Sequence, residues 1–256
     1  MPLPDESLAE ADLARLLQEA LARTPARLMV GRAGPGYLTS TWLKLRADHA
    51  AARDAVHAEI DLPRDFSGRS FLELRTRACS KAEYLMRPDR GRELDDGSLE
   101  LLRPHTISAD VLFIIGDGLS AAAVRLNALS LLDSLTLAAR ERGWSVGPTC
   151  FVHHCRVGIL NALGEALRPT VAVLLIGERP GLATAESLSA YLAHRPQRGH
   201  TDAQRNLISN IHANGVSLPD ATARLIALIA RMMAVGASGV GIKESLTVRP
   251  PPPAVG

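Results

Sequence analysis

Glu178 and Arg179 stand where an unbroken apolar run, VAVLLI (Val171–Ile176), stops in GERPGL. A strand of that composition is buried on both faces. It therefore delivers a carboxylate and a guanidinium at its carboxyl end, where open parallel sheets bind their ligands. Taken alone, the pair reads equally well as an ion pair or loop-fixing carboxylate and as a ligand contact. A second polar stop, GDGLS (Gly116–Ser120), ends the run VLFII in the same way, and the glycines at both stops could do no more than let the chain turn. Neither stop is G-x-G-x-x-G and no G-x-x-x-x-G-K-[ST] occurs, which argues against a dinucleotide or nucleoside triphosphate site. Ser120 lacks the G-x-S-x-G surroundings of a nucleophile elbow, so a hydrolase or oxidoreductase built on GDGLS is disfavoured.

CFVHHC (Cys150–Cys155) has the residue types of a zinc site. On a strand, however, Cys150 and His154 face one way while His153 and Cys155 face the other, so the four do not converge on one ion. No triad supports a nucleophilic cysteine, and the cysteines read as small buried hydrophobes. DHAAARDAVH places Asp48, His49, Asp54 and His57 on one helix, with His49 and Arg53, and Arg53 and His57, sharing a face. A packing face that bridges to another helix or subunit explains that set better than a catalytic one.

These side chains need a folded frame, and the composition supplies one. The chain has 256 residues, 46% hydrophobic and 22% charged, with a formal net charge of +2. That balance is ordinary for a globular protein and too weakly basic to point to nucleic acid. An aromatic content of 4% also removes the stacking platform of single-strand binders. The sequence begins MPLPDESLAEADL, without the basic and apolar regions of a secretory signal. No unbroken apolar run approaches the roughly 18 residues of a spanning helix. With three cysteines, an odd number, the expectation is a cytoplasmic protein with reduced thiols and no membrane segment.

The spacing predicts an amphipathic helix from Ser7 to Thr24, with Ser7 as its N-cap and Glu10 at the capping-box position, inside an N-terminal segment 1–24. Residues 25–105 read as a mainly helical domain, including a helix from Thr41 to Glu59. From 106 to 246 the texture alternates: strands at DVLFII, PTCFVHHCRV and VAVLLI, and helices at SAAAVRLNALSLLDSLTLAARERG, GILNALGEALR and LPDATARLIALIARMMAVGASG. The fold class that follows is α/β: a helical N-terminal region and a C-terminal doubly wound, mostly parallel, Rossmann-like sheet. Residues 247–256, rich in proline, form a tail expected to be disordered.

Longer strings carry a resemblance. TPARLMVGRAGPGYLTSTWLKLRADHAAARDAVH, KAEYLMRPDRGREL, IIGDGLSAAAV, VLLIGERPGLATAESLSAYL, RNLISNIH and GASGVGIK, from Thr24 to Lys243, occur in the order and spacing of ethanolamine ammonia-lyase small subunits. The resemblance implies one component of an adenosylcobalamin-dependent lyase that converts ethanolamine to acetaldehyde and ammonia. In that family the large subunit, a (β/α)8 barrel, holds the substrate and most of the cofactor. The small subunit closes over part of the corrin and its nucleotide tail, and the assembly is a hexamer of heterodimers. The radical chemistry belongs to the cofactor, so this chain would carry no catalytic residue and no metal ligand of its own.

By resemblance Glu178 matches the family's cobalamin-contacting glutamate and Val157 its contacting valine. The third family contact is a cysteine, and Leu207 stands in its place. Ser80-Lys81 also departs, since the family usually has Asp-Arg there, which puts some ion pairs in doubt. There is no D-x-H-x-x-G stretch to place a histidine on cobalt, so the resemblance implies base-on binding. Some relatives use a comparable N-terminal segment to enter a protein-shelled bacterial microcompartment. Here the short linker at Pro25 favours a helix packed on the chain's own surface or on the large subunit. The alternative function is a non-catalytic α/β binding or scaffold protein with a degenerate cobalamin site, for which Leu207 is the direct support.

Overall fold

The computed structural model describes residues 6–22, 30–105, 108–181 and 184–244. The tail 247–256, Thr24 and Pro25 lie outside them. Helix α1 (Glu6–Ala22) leads to a two-stranded hairpin, β1 (Arg32–Ala33) and β2 (Gly36–Tyr37), and then to α2 (Thr39–His57). Ser7 lies inside α1 rather than capping it. A short α3 (Leu62–Asp65), strand β3 (Leu72–Arg75), α4 (Lys81–Met86) and α5 (Asp96–Leu102) complete the N-terminal part.

The rest alternates: β4 (Val111–Gly116), α6 (Ala121–Ala123) continuing through a π turn (Val124–Ala128) into α7 (Leu129–Glu141), then β5 (Cys150–His153), α8 (Ile159–Leu167) and β6 (Val171–Gly177). Strands β7 (Leu188–His194) and β8 (Asn206–Ile211) follow, and α9 (Leu218–Val235) closes the fold. Ser217 caps α9 through the Asp220 amide, and Gly236, at φ 69°, ends it in the left-handed conformation that glycine tolerates.

Six strands form one mixed sheet in the order β3-β5-β4-β6-β7-β8. The pairs β3–β5, β5–β4 and β4–β6 are parallel, and β6–β7 and β7–β8 are antiparallel. Every residue of β4 and β6 is buried, which explains why both read as continuous apolar runs. On one face Phe113, Ile115, Val173 and Leu175 pack with Leu131 and Leu135 of α7 and Leu225 and Ile229 of α9. On the other, Leu112, Ile114, Ala172 and Leu174 pack with Ile159, Leu160 and Leu163 of α8. Each such side chain contributes roughly 1.5–3 kcal/mol through burial. The helix Ala121–Glu141 is long and apolar enough by itself to cross a bilayer. In this fold Leu131, Leu135 and Ala139 are spent on the sheet core.

The α/β class and the mostly parallel sheet agree with the sequence reading, which also anticipated β4, β5 and β6. The β1–β2 hairpin and three strands of the large sheet were not anticipated. β3 lies in the stretch read as helical and forms the sheet's edge with only four residues. β7 and β8 turn antiparallel because the ten residues between Gly177 and Leu188 and the eleven between His194 and Asn206 fall short of the dozen or more that a parallel crossover needs. Among the described side chains of helix α1, Leu13, Leu16 and Leu21 are exposed, so these leucines do not pack on the chain's own surface.

Candidate functional site

Glu178 follows directly on β6 and continues the face of Ala172, Leu174 and Ile176, which α8 covers lower in the sheet. Its N–H donates to the Ser187 carbonyl at 3.0 Å. One carboxylate oxygen, Oε1, accepts from the Ser189 hydroxyl of β7 at 2.7 Å and from the Asn210 N–H of β8 at 2.9 Å. The other oxygen, Oε2, has no hydrogen-bond partner among the described residues. Arg179 is exposed and makes no ion pair with Glu178. The two readings left open by the sequence thus meet in one side chain: Oε1 fixes the strand ends and Oε2 is available.

Val157 lies in the turn between β5 and α8, half-buried, with its carbonyl accepting from the Leu160 N–H at 3.2 Å. Leu207 sits on β8 opposite Tyr191 of β7 and is 46% exposed. Val157 and Tyr191 line the same cleft of about 950 Å³, within the size range of small-molecule sites. Ser189, Tyr191 and Leu207 share the face that Glu178 reaches, because they alternate with Leu188, Ala190 and Ile208 of the opposite core. Tyr191 is the link between them: it lines the cleft with Val157 and pairs with Leu207 across the strands, while Leu207 and Glu178 are not among the residues that line that cleft.

Tyr191 was not legible as a site residue; its only signal was one aromatic at period-two spacing in LSAYLAH. Burial, and then the charges of Asp202 and Glu178, push its phenol up, so it stays neutral and able to donate. The cleft wall is basic. Arg77 pairs with Glu93 at 3.0 Å and Arg205 with Asp202 at 2.5 Å. Arg156 lies 4.2 Å from the centroid of Tyr84 and donates to the Tyr84 carbonyl at 3.2 Å. Arg92 and Arg198 make no ion pair among the described residues. The stem of Arg92 crosses Gly158, where a Cβ would stand 2.9 Å from its Cγ, so only glycine lets the arginine lie beside Val157.

The second polar stop is not an open binding edge. Asp117, 1% exposed, accepts from the N–H groups of His154 at 2.8 Å and Cys155 at 2.9 Å. Gly118, at φ 59°, packs so closely that a Cβ would stand 2.3 Å from the Gly177 carbonyl. Ser120 caps α6 through the Ala123 N–H and bonds the Ala185 carbonyl. GDGLS thus ties the ends of β4, β5 and β6 together and holds the loop that presents Glu178. Ser80 caps α4, and Lys81 is buried with its ammonium on the Gly118 carbonyl at 3.1 Å; burial pulls its pKa down.

In CFVHHC the strand ends at His153 and His154 takes φ 55°, so the alternation stops there. Cys155 consequently joins Cys150 in the core on the α8 side instead of facing away from it. Burial pushes the Cys150 thiol up to about 12 and raises that of Cys155 as well, so both behave as hydrophobes. His153 bonds Glu73 at 2.9 Å and His154 bonds the Ala78 carbonyl at 2.9 Å. Among the described residues no three His, Cys, Asp or Glu side chains gather to hold a metal ion. Helix α2, carrying His49, Arg53 and His57, has no buried residue, and Trp42 and Leu43 stand 53% and 58% exposed.

Residues 14–243 match the family model described as ethanolamine ammonia-lyase light chain (EutC). The chain is 43% identical over 227 residues to the ethanolamine ammonia-lyase small subunit of Clostridium perfringens, covering 88% of this chain and 76% of that protein. It is 42% identical over 223 residues to the same subunit of Listeria monocytogenes serovar 1/2a, covering 86% and 75%. To that of Clostridium acetobutylicum it is 40% identical over 228 residues, covering 89% and 94%.

Proposed function

This chain belongs to the ethanolamine ammonia-lyase light-chain family, as the small subunit of a carbon–nitrogen lyase, and from that premise we propose that it clamps adenosylcobalamin against a catalytic large subunit. The reaction of that enzyme is the conversion of ethanolamine to acetaldehyde and ammonia. When bound, the cofactor supplies the radical chemistry. This chain's own residues bind and orient.

The observation that carries the reading is the split carboxylate of Glu178: one oxygen locked by Ser189 and Asn210, the other free at the end of the face shared by Ser189, Tyr191 and Leu207. The donor set suits the group. A corrin presents an apolar ring fringed with amides, and Leu207, Val157 and Ala162 offer apolar approach while Oε2 of Glu178 offers a charge-assisted acceptor for an amide N–H. Arg92 and Arg198 offer cations to the phosphodiester of the nucleotide tail. The absence of D-x-H-x-x-G from the sequence supports base-on binding, with no histidine of this chain on cobalt.

The surface we assign to the large subunit is the apolar strip of Tyr37, Leu38, Trp42 and Leu43, which adds nothing to the chain's own core. A hexamer of heterodimers is the assembly expected on this reading. Three free cysteines are in keeping with a cytoplasmic setting, inside or outside a protein shell. The test is copurification of the two chains followed by assay of acetaldehyde release. Product that requires both chains and adenosylcobalamin supports the clamp. Stable association without cofactor-dependent turnover supports the degenerate scaffold instead, with Leu207 as the first position to revert to cysteine.

A further inference from the structure

The Glu178 carboxylate is held by a residue that is itself held. Asn210 sits at the end of β8 with φ 61°, a left-handed conformation that a non-glycine residue keeps only when its surroundings impose it. Three contacts impose it. The Asn210 carbonyl accepts from the Val216 N–H at 2.7 Å. The turn closes over it at Gly215, where a Cβ would stand 2.3 Å from that carbonyl oxygen. The side-chain oxygen Oδ1 lies 2.8 Å from Nε2 of His212, which is 5% exposed.

The direction of the last bond follows from its neighbour. His212 Nδ1 lies 3.3 Å from the Asn214 backbone N–H, which can only donate. Nδ1 is therefore the acceptor, the proton is on Nε2, and His212 donates to Asn210 Oδ1. The same bond fixes which end of the Asn210 amide is oxygen. The result is a relay from a buried imidazole, through Asn210, to a backbone N–H aimed at Glu178 Oε1. With the Ser189 hydroxyl as second donor, both lone-pair directions of Oε1 are filled.

We propose that His212 is a positioning residue for the cofactor contact, and that Glu178 meets its ligand through Oε2 alone, as an acceptor for an amide N–H of the corrin fringe. This rests on the cofactor reading above. It sharpens that reading: Oε1 is a structural oxygen and Oε2 the recognising one. In Glu178→Gln the fixed Asn210 N–H still needs an oxygen, so the amide oxygen takes the place of Oε1 and the NH2 group that of Oε2. A donor then faces a donor.

The experiment is titration of the copurified two-subunit complex with cyanocobalamin, an inert base-on probe, with binding read by equilibrium dialysis. Glu178→Gln is expected to weaken binding at least ~10-fold, the scale of a charge-assisted hydrogen bond. His212→Ala is expected to weaken it by ~3- to 10-fold, and His212→Gln, whose amide can still donate to Asn210 Oδ1, to recover most of the loss. Deuterium exchange of the peptide spanning Ser209–Ile211 in the cofactor-free complex is expected to quicken in His212→Ala and not in His212→Gln, which reads positioning without any ligand. Wild-type binding with an unaltered Glu178→Gln, or His212→Ala that leaves both affinity and exchange unchanged, overturns the inference while the cofactor reading stands. A wild-type complex that binds no cobalamin overturns the cofactor reading and this inference with it.

Discussion

Glu178 divides its two oxygens between holding the sheet end and facing outward, and that division sets what its neighbours can contribute. Leu207 is the neighbour in which this chain departs from the cysteine expected of the family. At 46% exposure its side chain adds little to the core, so Leu207→Cys is expected to change stability by less than ~0.5 kcal/mol. Leu207→Asp is expected to lower cobalamin affinity at unchanged melting temperature; an unaltered titration would remove Leu207 from the site. A different residue contributes to the acid response. Asp65 bonds Arg64 at 3.0 Å and Arg125 at 2.8 Å, and these bonds, that to Arg64 first, hold its carboxyl well below the usual carboxylate range. A carboxyl depressed in the folded state stabilises fully above its unfolded value of about 3.9 and loses that contribution as pH falls towards the folded value. Asp65→Asn is therefore expected to lower stability at neutral pH and to flatten the loss of stability below about pH 4, measured by denaturant unfolding across that window.

The loop GDGLS does its work at the level of elements. Its polar groups are turned inward, onto the ends of β5 and β6, so its effect on the site runs through the position of the Glu178 loop. Gly118→Ala would put a methyl 2.3 Å from the Gly177 carbonyl in a left-handed backbone. It is expected to cost more than ~2 kcal/mol in chemical unfolding, a strained φ and a backbone collision together; a loss below ~0.5 kcal/mol would show that the loop yields. This scale also shows why the sequence was readable only in part. β4 and β6 announced themselves because both faces are buried, and α9 because its cap, its spacing and Gly236 agree. β8 was hidden by a register shift opposite Leu188 and Ala190, which breaks the period of two, and β7 by serine and alanine at positions where longer apolar residues would have marked a strand. Glu178 could be placed at a strand end from VAVLLIGERP alone. Its partners Ser189 and Asn210 could not, because they come from the two strands the pattern concealed.

For the whole molecule, the N-terminal part and the sheet have different occupations. β3 joins the sheet, while α1 and α2 leave Leu13, Leu16, Trp42 and Leu43 facing outward. A core-free helix of 19 residues is marginal unless something packs on it, which is what assembly with a larger partner provides. Trp42→Ala combined with Leu43→Ala is expected to leave the unfolding of this chain within ~1 kcal/mol of wild type. The same pair should weaken association with the large subunit by ~2 kcal/mol or more, as removal of a buried aromatic anchor does. Unchanged copurification under dilution would exclude α2 from that interface. In the assembled enzyme we expect Glu178 to hold the cofactor and to take no part in the chemistry. Acetaldehyde formation by the two-chain complex, followed as a function of adenosylcobalamin concentration for wild type and Glu178→Ala, separates binding from chemistry. If Glu178 only binds, the apparent KM for the cofactor rises ~10-fold or more with kcat at saturating cofactor within about threefold of wild type; an unchanged cofactor KM, with or without a fall in kcat, would contradict that role.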